Sequence, residues 1–194
     1  METPCRWVRG RMRLARGDAK GAHDDAERAL ELARAAKDPQ VLWPALAFAA
    51  RAFLPTDRQR ADDHVAEILS EWEAQGCPLS SESDWTADAA VVIPLVGREA
   101  EFLAGAGRAQ KPWPWRQAAS AYVSGNPSAA AEIYREIGAG PDEAFARLRA
   151  ADKLVREGRR AEADVELDAA LSFWRSVGAT AYVREGEALL AASA

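Results

Sequence analysis

Apolar residues recur at spacings of three and four along most of the chain, and the clearest stretch lies between Pro141 and Gly178. There Ala144, Leu148, Ala151, Leu154 and Val155 form one stripe. After Gly158 a second stripe runs through Ala163, Leu167, Ala170, Leu171 and Trp174. This period places each stripe on one face of a helix. Pro141 gives up only an N–H that the first turn leaves unpaired, Asp142 and Glu143 suit the positive helix end, and Gly158 permits the left-handed turn that ends it. Two such helices fold into an antiparallel hairpin that cannot cover its own apolar faces, so neighbours must.

The same reading extends along the chain. Trp7, Arg11, Leu14 and Ala15 share a face that ends at Gly17-Asp18, and Ala22, Ala26, Ala29, Leu30 and Ala33 form the next stripe. The first helix of this pair reads as cut short, which would leave an apolar edge open at the N-terminus. Asp38-Pro39 opens a helix carrying Leu42, Trp43, Leu46 and Phe53, and Thr56 with Gln59 has the spacing of a capping box before Ala61, Val65, Ile68 and Trp72. The polar, turn-rich segment 77–84 is a candidate hinge between halves. Beyond it come Ala89, Val92 and Leu95, then a short helix loosened by Gly105 and Gly107. Helix resumes near Trp115, and Asn126-Pro127 opens another through Ala130, Ile133 and Tyr134. A last helix at about 180–193, with Tyr182, Val183, Leu189 and Leu190, reads as a cap on the final hairpin.

Overlaying the turns exposes a repeat. Five, nine and twelve residues after Gly158 lie Ala163, Leu167 and Ala170; the same count gives Ala130, Tyr134 and Ile137 after Gly125, Ala22, Ala26 and Ala29 after Gly17, and Ala61, Val65 and Ile68 after Thr56. Gly97 gives a poorer match, with Phe102 in the first position. Seven residues before the four good phases stand Ala151, Ala118, Gly10 and Ala49, all small. Small residues at these sites let the helices of a hairpin approach closely. The expected fold is all-α: about eleven helices in a right-handed solenoid of antiparallel hairpins, one domain over 1–194.

Composition narrows the function classes. The 194 residues are 48 % hydrophobic and 28 % charged, ordinary for a soluble globular protein, and the net charge of −5 argues against direct nucleic-acid binding. No apolar run reaches the roughly 18 to 20 residues of a membrane helix. The opening METPCRWVRGRMR is basic but lacks the apolar core of a signal peptide, which points to the cytoplasm. Cys5 and Cys77 are too few and too far apart for a disulfide scaffold or structural zinc site.

Motifs for chemistry are sparse. No phosphate loop of the G-x-x-x-x-G-K-[ST] type occurs, and Gly105-Ala106-Gly107 lacks the third glycine and preceding strand of a dinucleotide fingerprint. His23-Asp24-Asp25 and Asp62-Asp63-His64 resemble mirrored metal clusters, but adjacent helical residues point to different faces, so neither triplet forms a site alone. With two histidines and no strand-turn-helix serine, no nucleophilic triad can be assembled. The expectation is a non-enzymatic chain without catalytic residues, cofactor or metal.

The hairpin pattern resembles the tetratricopeptide repeat, a 34-residue helix-turn-helix unit with small residues at the crossing. More narrowly, WPWRQAASAYVSGN, AAAEIYREIGAGPDEAFARLRAA, EGRRAEAD and ALSFWRSVGATAYVREGEALLA resemble the C-terminal repeat end of bacterial multidomain regulators. Those regulators join an ATPase module to a nucleotide cyclase or a helix-turn-helix DNA-binding domain. The resemblance implies a regulatory module whose partner is a protein, a peptide or an upstream domain of the same regulator; the alternative is a small-effector sensor controlling such a domain. First helices line the concave side of stacked hairpins, so Trp43, Leu46, Phe53, Trp115, Tyr122, Phe145, Leu148 and Asp152 are the candidate groove residues. The aromatic ones have two readings, groove anchors or fillers between hairpins.

Overall fold

The computed structural model describes residues 2–78, 85–108 and 112–191. Among these the regular structure is entirely α-helical, without a strand: α1 (Glu2–Arg16), α2 (Ala19–Ala36), α3 (Pro39–Phe53), α4 (Arg58–Ala74), α5 (Trp85–Val96), α6 (Glu99–Gly107), α7 (Pro114–Val123), α8 (Pro127–Glu136), α9 (Gly140–Arg156), α10 (Arg160–Ser176) and α11 (Thr180–Ala191). Aspartate or asparagine caps begin several of them. Asp18 accepts from the Gly21 amide, Asp38 from Gln40 and Asn126 from Ala129. Each satisfies an amide that the helix itself leaves unpaired.

The residues singled out by the overlaid turns are the packing residues. Ala22, Ala26, Ala29, Ala61, Val65, Ile68, Ala163, Leu167 and Ala170 are completely buried, as are Ala49, Ala118 and Ala151 seven places before their turns. Gly10 is buried as well, and a Cβ built on it would stand 2.1 Å from the Phe48 ring. Helix α1 therefore crosses α3 at a separation that only glycine permits. α1 packs on α2, α3 on α4, α7 on α8 and α9 on α10, while α1, α3, α5 and α7 also contact one another in succession. Helices α5 and α6 touch only slightly.

Tryptophans fill the space around that weak pair. The Trp72 ring stacks on Phe102 at 5.8 Å and meets the edge of Trp85 at 5.5 Å, and its indole N–H donates to the Pro78 carbonyl at 3.2 Å. Gly105 lies so close that a Cβ there would sit 2.5 Å from the same indole. Gly105 and Gly107 thus belong to α6 rather than loosening it: the first is small because Trp72 occupies the space a side chain would need. Of the candidate hinge, residues 79–84 lie outside the described residues, as do 192–193 of the expected cap.

Two further details differ from the sequence reading. Helix α1 spans 15 residues, as many as α3, and the edge beside it is not left wholly open. Helix α11 lies against α10, α9 and α1, and the Thr180 hydroxyl donates to the Arg16 carbonyl at 3.2 Å. The last helix therefore covers part of α1 as well as α9 and α10. Finally, the cap of α4 is Asp57, which accepts from the Arg60 amide at 3.0 Å, whereas the Thr56 hydroxyl donates to the Phe53 carbonyl. The carboxylate is the stronger acceptor and stands where the helix begins, and Gln59 turns to Asp63 instead of closing a capping box.

Candidate functional site

Arg51 is the sole charge in α3 and Asp88 the sole charge in α5, each within an otherwise apolar helix. A lone buried charge needs a partner. The two meet: Arg51 Nη1 donates to Asp88 Oδ1 at 2.7 Å, and the side chains are 10 % and 8 % exposed. Arg11 of α1 stands 3.5 Å from the same carboxylate and also pairs with Asp142 of α9. Arg51 Nη2 donates to the Tyr182 hydroxyl of α11 at 3.0 Å. Helices α1, α3, α5, α9 and α11 are thereby tied at one polar centre. Burial opposes the charge on Asp88, but Arg11 and Arg51 outweigh it and hold the carboxyl below its usual range.

Beside this centre opens a groove of about 870 Å³. Each odd-numbered helix from α1 to α11 contributes to its lining. Leu14, Leu54, Val91, Pro94 and Leu95 make an apolar stretch, and Leu95 is 51 % exposed. Elsewhere Tyr122, Phe145 and Tyr182 bring aromatic surface, and Arg149, Lys153 and Arg156 bring charge. The Arg51 guanidinium lies 4.2 Å and that of Arg149 5.0 Å from the centre of the Phe145 ring, which meets Tyr182 edge-on at 5.5 Å. Burial pushes the Tyr122 phenol up to about 12, so it stays protonated and retains an O–H to donate. Asp152 and Glu157 keep the rim mixed in sign: Asp152 accepts from Arg156 at 2.7 Å, and Lys153 Nζ donates to the Gly125 carbonyl at 2.6 Å. Apolar anchors, stacked cations and spare hydroxyls at the edge of a wide cleft suit recognition of an amphipathic segment.

The eight residues expected to line a groove separate into two groups. Tyr122, Phe145 and Asp152 lie in its wall. Trp43, Leu46, Phe53 and Leu148 do not; they are 2 %, 0 %, 4 % and 0 % exposed and belong to the core. Residues of an odd-numbered helix face not only the groove but also the adjacent even-numbered helix and the next odd-numbered one. Thus Trp43 packs against Trp85, and Phe53 is covered by the Arg60 guanidinium at 3.7 Å. Trp115 is half-buried against Tyr134 of α8, their rings 5.6 Å apart, and fills space within its own hairpin. Arg51, Leu95, Arg149 and Tyr182 are groove residues that the sequence reading does not single out as such. For Arg51 a signal existed: a single positive charge in α3 and a single negative one in α5, each stranded on an apolar helix, are natural partners.

The two histidine-aspartate triplets do not converge. In the first, His23 Nε2 donates to the Ala52 carbonyl at 2.9 Å, Asp24 pairs with Lys20, and Asp25, fully buried, accepts from Arg6, Arg9 and Arg13. In the second, Asp62 pairs with Arg98, Asp63 accepts from Gln59, and His64 packs by Phe53. Each of the four carboxylates and His23 is engaged by a neighbour, whereas the buried His64 Nε2 has no hydrogen-bond partner among the described residues. Among the described residues no helix is long and apolar enough to cross a membrane. Comparison with protein-family models, with curated proteins and with solved structures finds no match to this chain.

Proposed function

We propose that the chain is a tetratricopeptide-like module, a right-handed solenoid of antiparallel helix hairpins forming one domain, which binds a protein or peptide segment in the groove and works as a non-enzymatic regulator in the cytoplasm. The observation that carries this reading is the origin of the groove lining: of the even-numbered helices only α8 contributes, through Pro127, whereas every odd-numbered one does. In stacked hairpins those helices form the concave layer, and such layers are extended binding surfaces. The resemblance of residues 113–194 to the repeat end of bacterial ATPase–cyclase and ATPase–helix-turn-helix regulators suggests the setting, a repeat region that relays a partner's presence to such a domain.

Site-specific photo-crosslinking tests the reading. With p-benzoylphenylalanine at Leu95 in the groove, a discrete heavier adduct is expected from cells expressing the chain. At exposed Asp168 on α10, outside the groove, the same probe should give none. Adducts from position 168 with none from position 95 would place the partner elsewhere.

A further inference from the structure

A second cavity, of about 340 Å³, lies between α1, α10 and α11, at the seam where α1 meets α11. Val8, Met12 and Val177, which rim it, are 52 %, 49 % and 48 % exposed, three of the five large apolar side chains so exposed among the described residues. Ala15, Phe173 and Trp174 extend the apolar wall. An apolar surface gathered around a cavity, rather than scattered singly, marks a binding site.

The polar part of the lining has one sign. Arg11, Arg16 and Arg51 contribute guanidinium groups, and among the described residues no carboxylate lines the cavity. Arg11 and Arg51 are balanced from behind by Asp88 and Asp142. Arg16 has no ion-pair partner among the described residues. The sum is one uncompensated positive charge beside an apolar pocket. The Tyr182 hydroxyl, which accepts from Arg51, still has its own proton to donate. A guanidinium and a hydroxyl together suit a carboxylate. A cavity of about 340 Å³ lies at the small end of the roughly 300–1,000 Å³ usual for small-ligand pockets.

We propose that this seam pocket binds a small amphipathic monocarboxylate, its tail against Met12, Phe173 and Val177 and its carboxylate toward Arg16 and the Tyr182 hydroxyl. Such a ligand would bridge the first and last helices of the chain. Arg51 and Tyr182 line both this pocket and the groove, so occupancy of one is felt at the wall of the other. The inference stands apart from the groove reading, since it needs no macromolecular partner.

Octanoate, with ten non-hydrogen atoms, is the probe, and titration calorimetry on the full chain is the measurement. One-to-one binding is expected, with octanol and octylamine at least tenfold weaker. R16Q should weaken octanoate at least tenfold, and M12E should abolish it by setting a carboxylate against a carboxylate. Both positions are exposed, so the fold should survive, and V177D gives an independent block if either variant loses its helical circular dichroism. Three results would overturn the proposal. They are no binding at millimolar octanoate, binding unchanged in R16Q and M12E, or a wild-type dimer that V177D converts to monomer and that shows the patch to be covered by a second copy.

Discussion

Asp88→Ala should remove about 3–5 kcal/mol of stability, because it leaves the buried Arg51 guanidinium without its counter-charge. Arg51 is 10 % exposed and, once the carboxylate is gone, keeps the Tyr182 hydroxyl and the Phe145 ring but no hydrogen-bonded carboxylate. Total stabilities of about 5–15 kcal/mol are usual for a folded domain, so this one change would consume at least about a fifth of the margin. Urea unfolding of wild type and variant reads it directly. Replacing both partners with apolar residues, Arg51→Met with Asp88→Leu, should cost much less, since the double change leaves no charge to desolvate. The same pair sets a pH dependence. The carboxyl of Asp88 is held below its unfolded value by Arg11 and Arg51 against the opposing effect of burial. In the window between the two values the unfolded chain binds more protons than the folded one. The contribution is therefore complete above the unfolded value of about 4 and is lost as pH falls through the folded one. Asp88→Ala should flatten that part of the stability curve.

The second large effect is expected at the crossing of α1 and α3. Phe48 is fully buried, and truncating it to alanine should cost about 3–5 kcal/mol. Gly10 sits against the ring, where a methyl group would be 2.1 Å from the Phe48 Cζ. Gly10→Ala alone should cost about 1–3 kcal/mol by overpacking. With Phe48→Leu in the same chain, the added methyl meets a shorter side chain. The paired change should cost less than the sum of the single ones, and strict additivity in chemical denaturation would show that the two residues do not meet.

Much of this packing was legible in the sequence because it rests on local spacing. Helix period, proline and aspartate starts, glycine ends and small residues at a fixed distance from each turn all follow from contacts within one hairpin. Those signals reach Gly10, Ala49, Ala118 and Ala151. They do not reach what happens between distant hairpins. Trp43 and Leu148 lie on first helices like Tyr122 and Phe145, yet they face neighbouring helices rather than the groove, and helical phase alone does not separate the two orientations. The return of α11 to α1 is equally invisible in spacing. It joins residues 164 positions apart through Thr180 and Arg16. The apolar stripe of α1 is short for a reason that spacing does not reveal. Its outer half is basic because Arg6, Arg9 and Arg13 converge on the buried Asp25 carboxylate of α2. Polar residues there are contacts, not the end of a helix. The chain reads its own local rules clearly and its long-range charge pairing only through Arg51 and Asp88, whose isolation on apolar helices gives them away.

Both candidate sites depend on the meeting of the first and last helices, since residues of α1 and α11 line the groove and the seam pocket alike. A disulfide tests that meeting. A Cβ at position 17 would lie 3.6 Å from the Ala181 Cβ, inside the range of about 3.5–4.5 Å that a disulfide spans. Glycine 17 has φ +85°, so cysteine there carries some strain, but a loop this long repays it with about 4–5 kcal/mol in the chain-entropy estimate. In the chain carrying Gly17→Cys and Ala181→Cys, with Cys5→Ser and Cys77→Ala, mild oxidation followed by peptide mass spectrometry should find residues 17 and 181 joined within a monomer. Free thiols, or a bond formed only between molecules, would contradict the closure on which both sites rest.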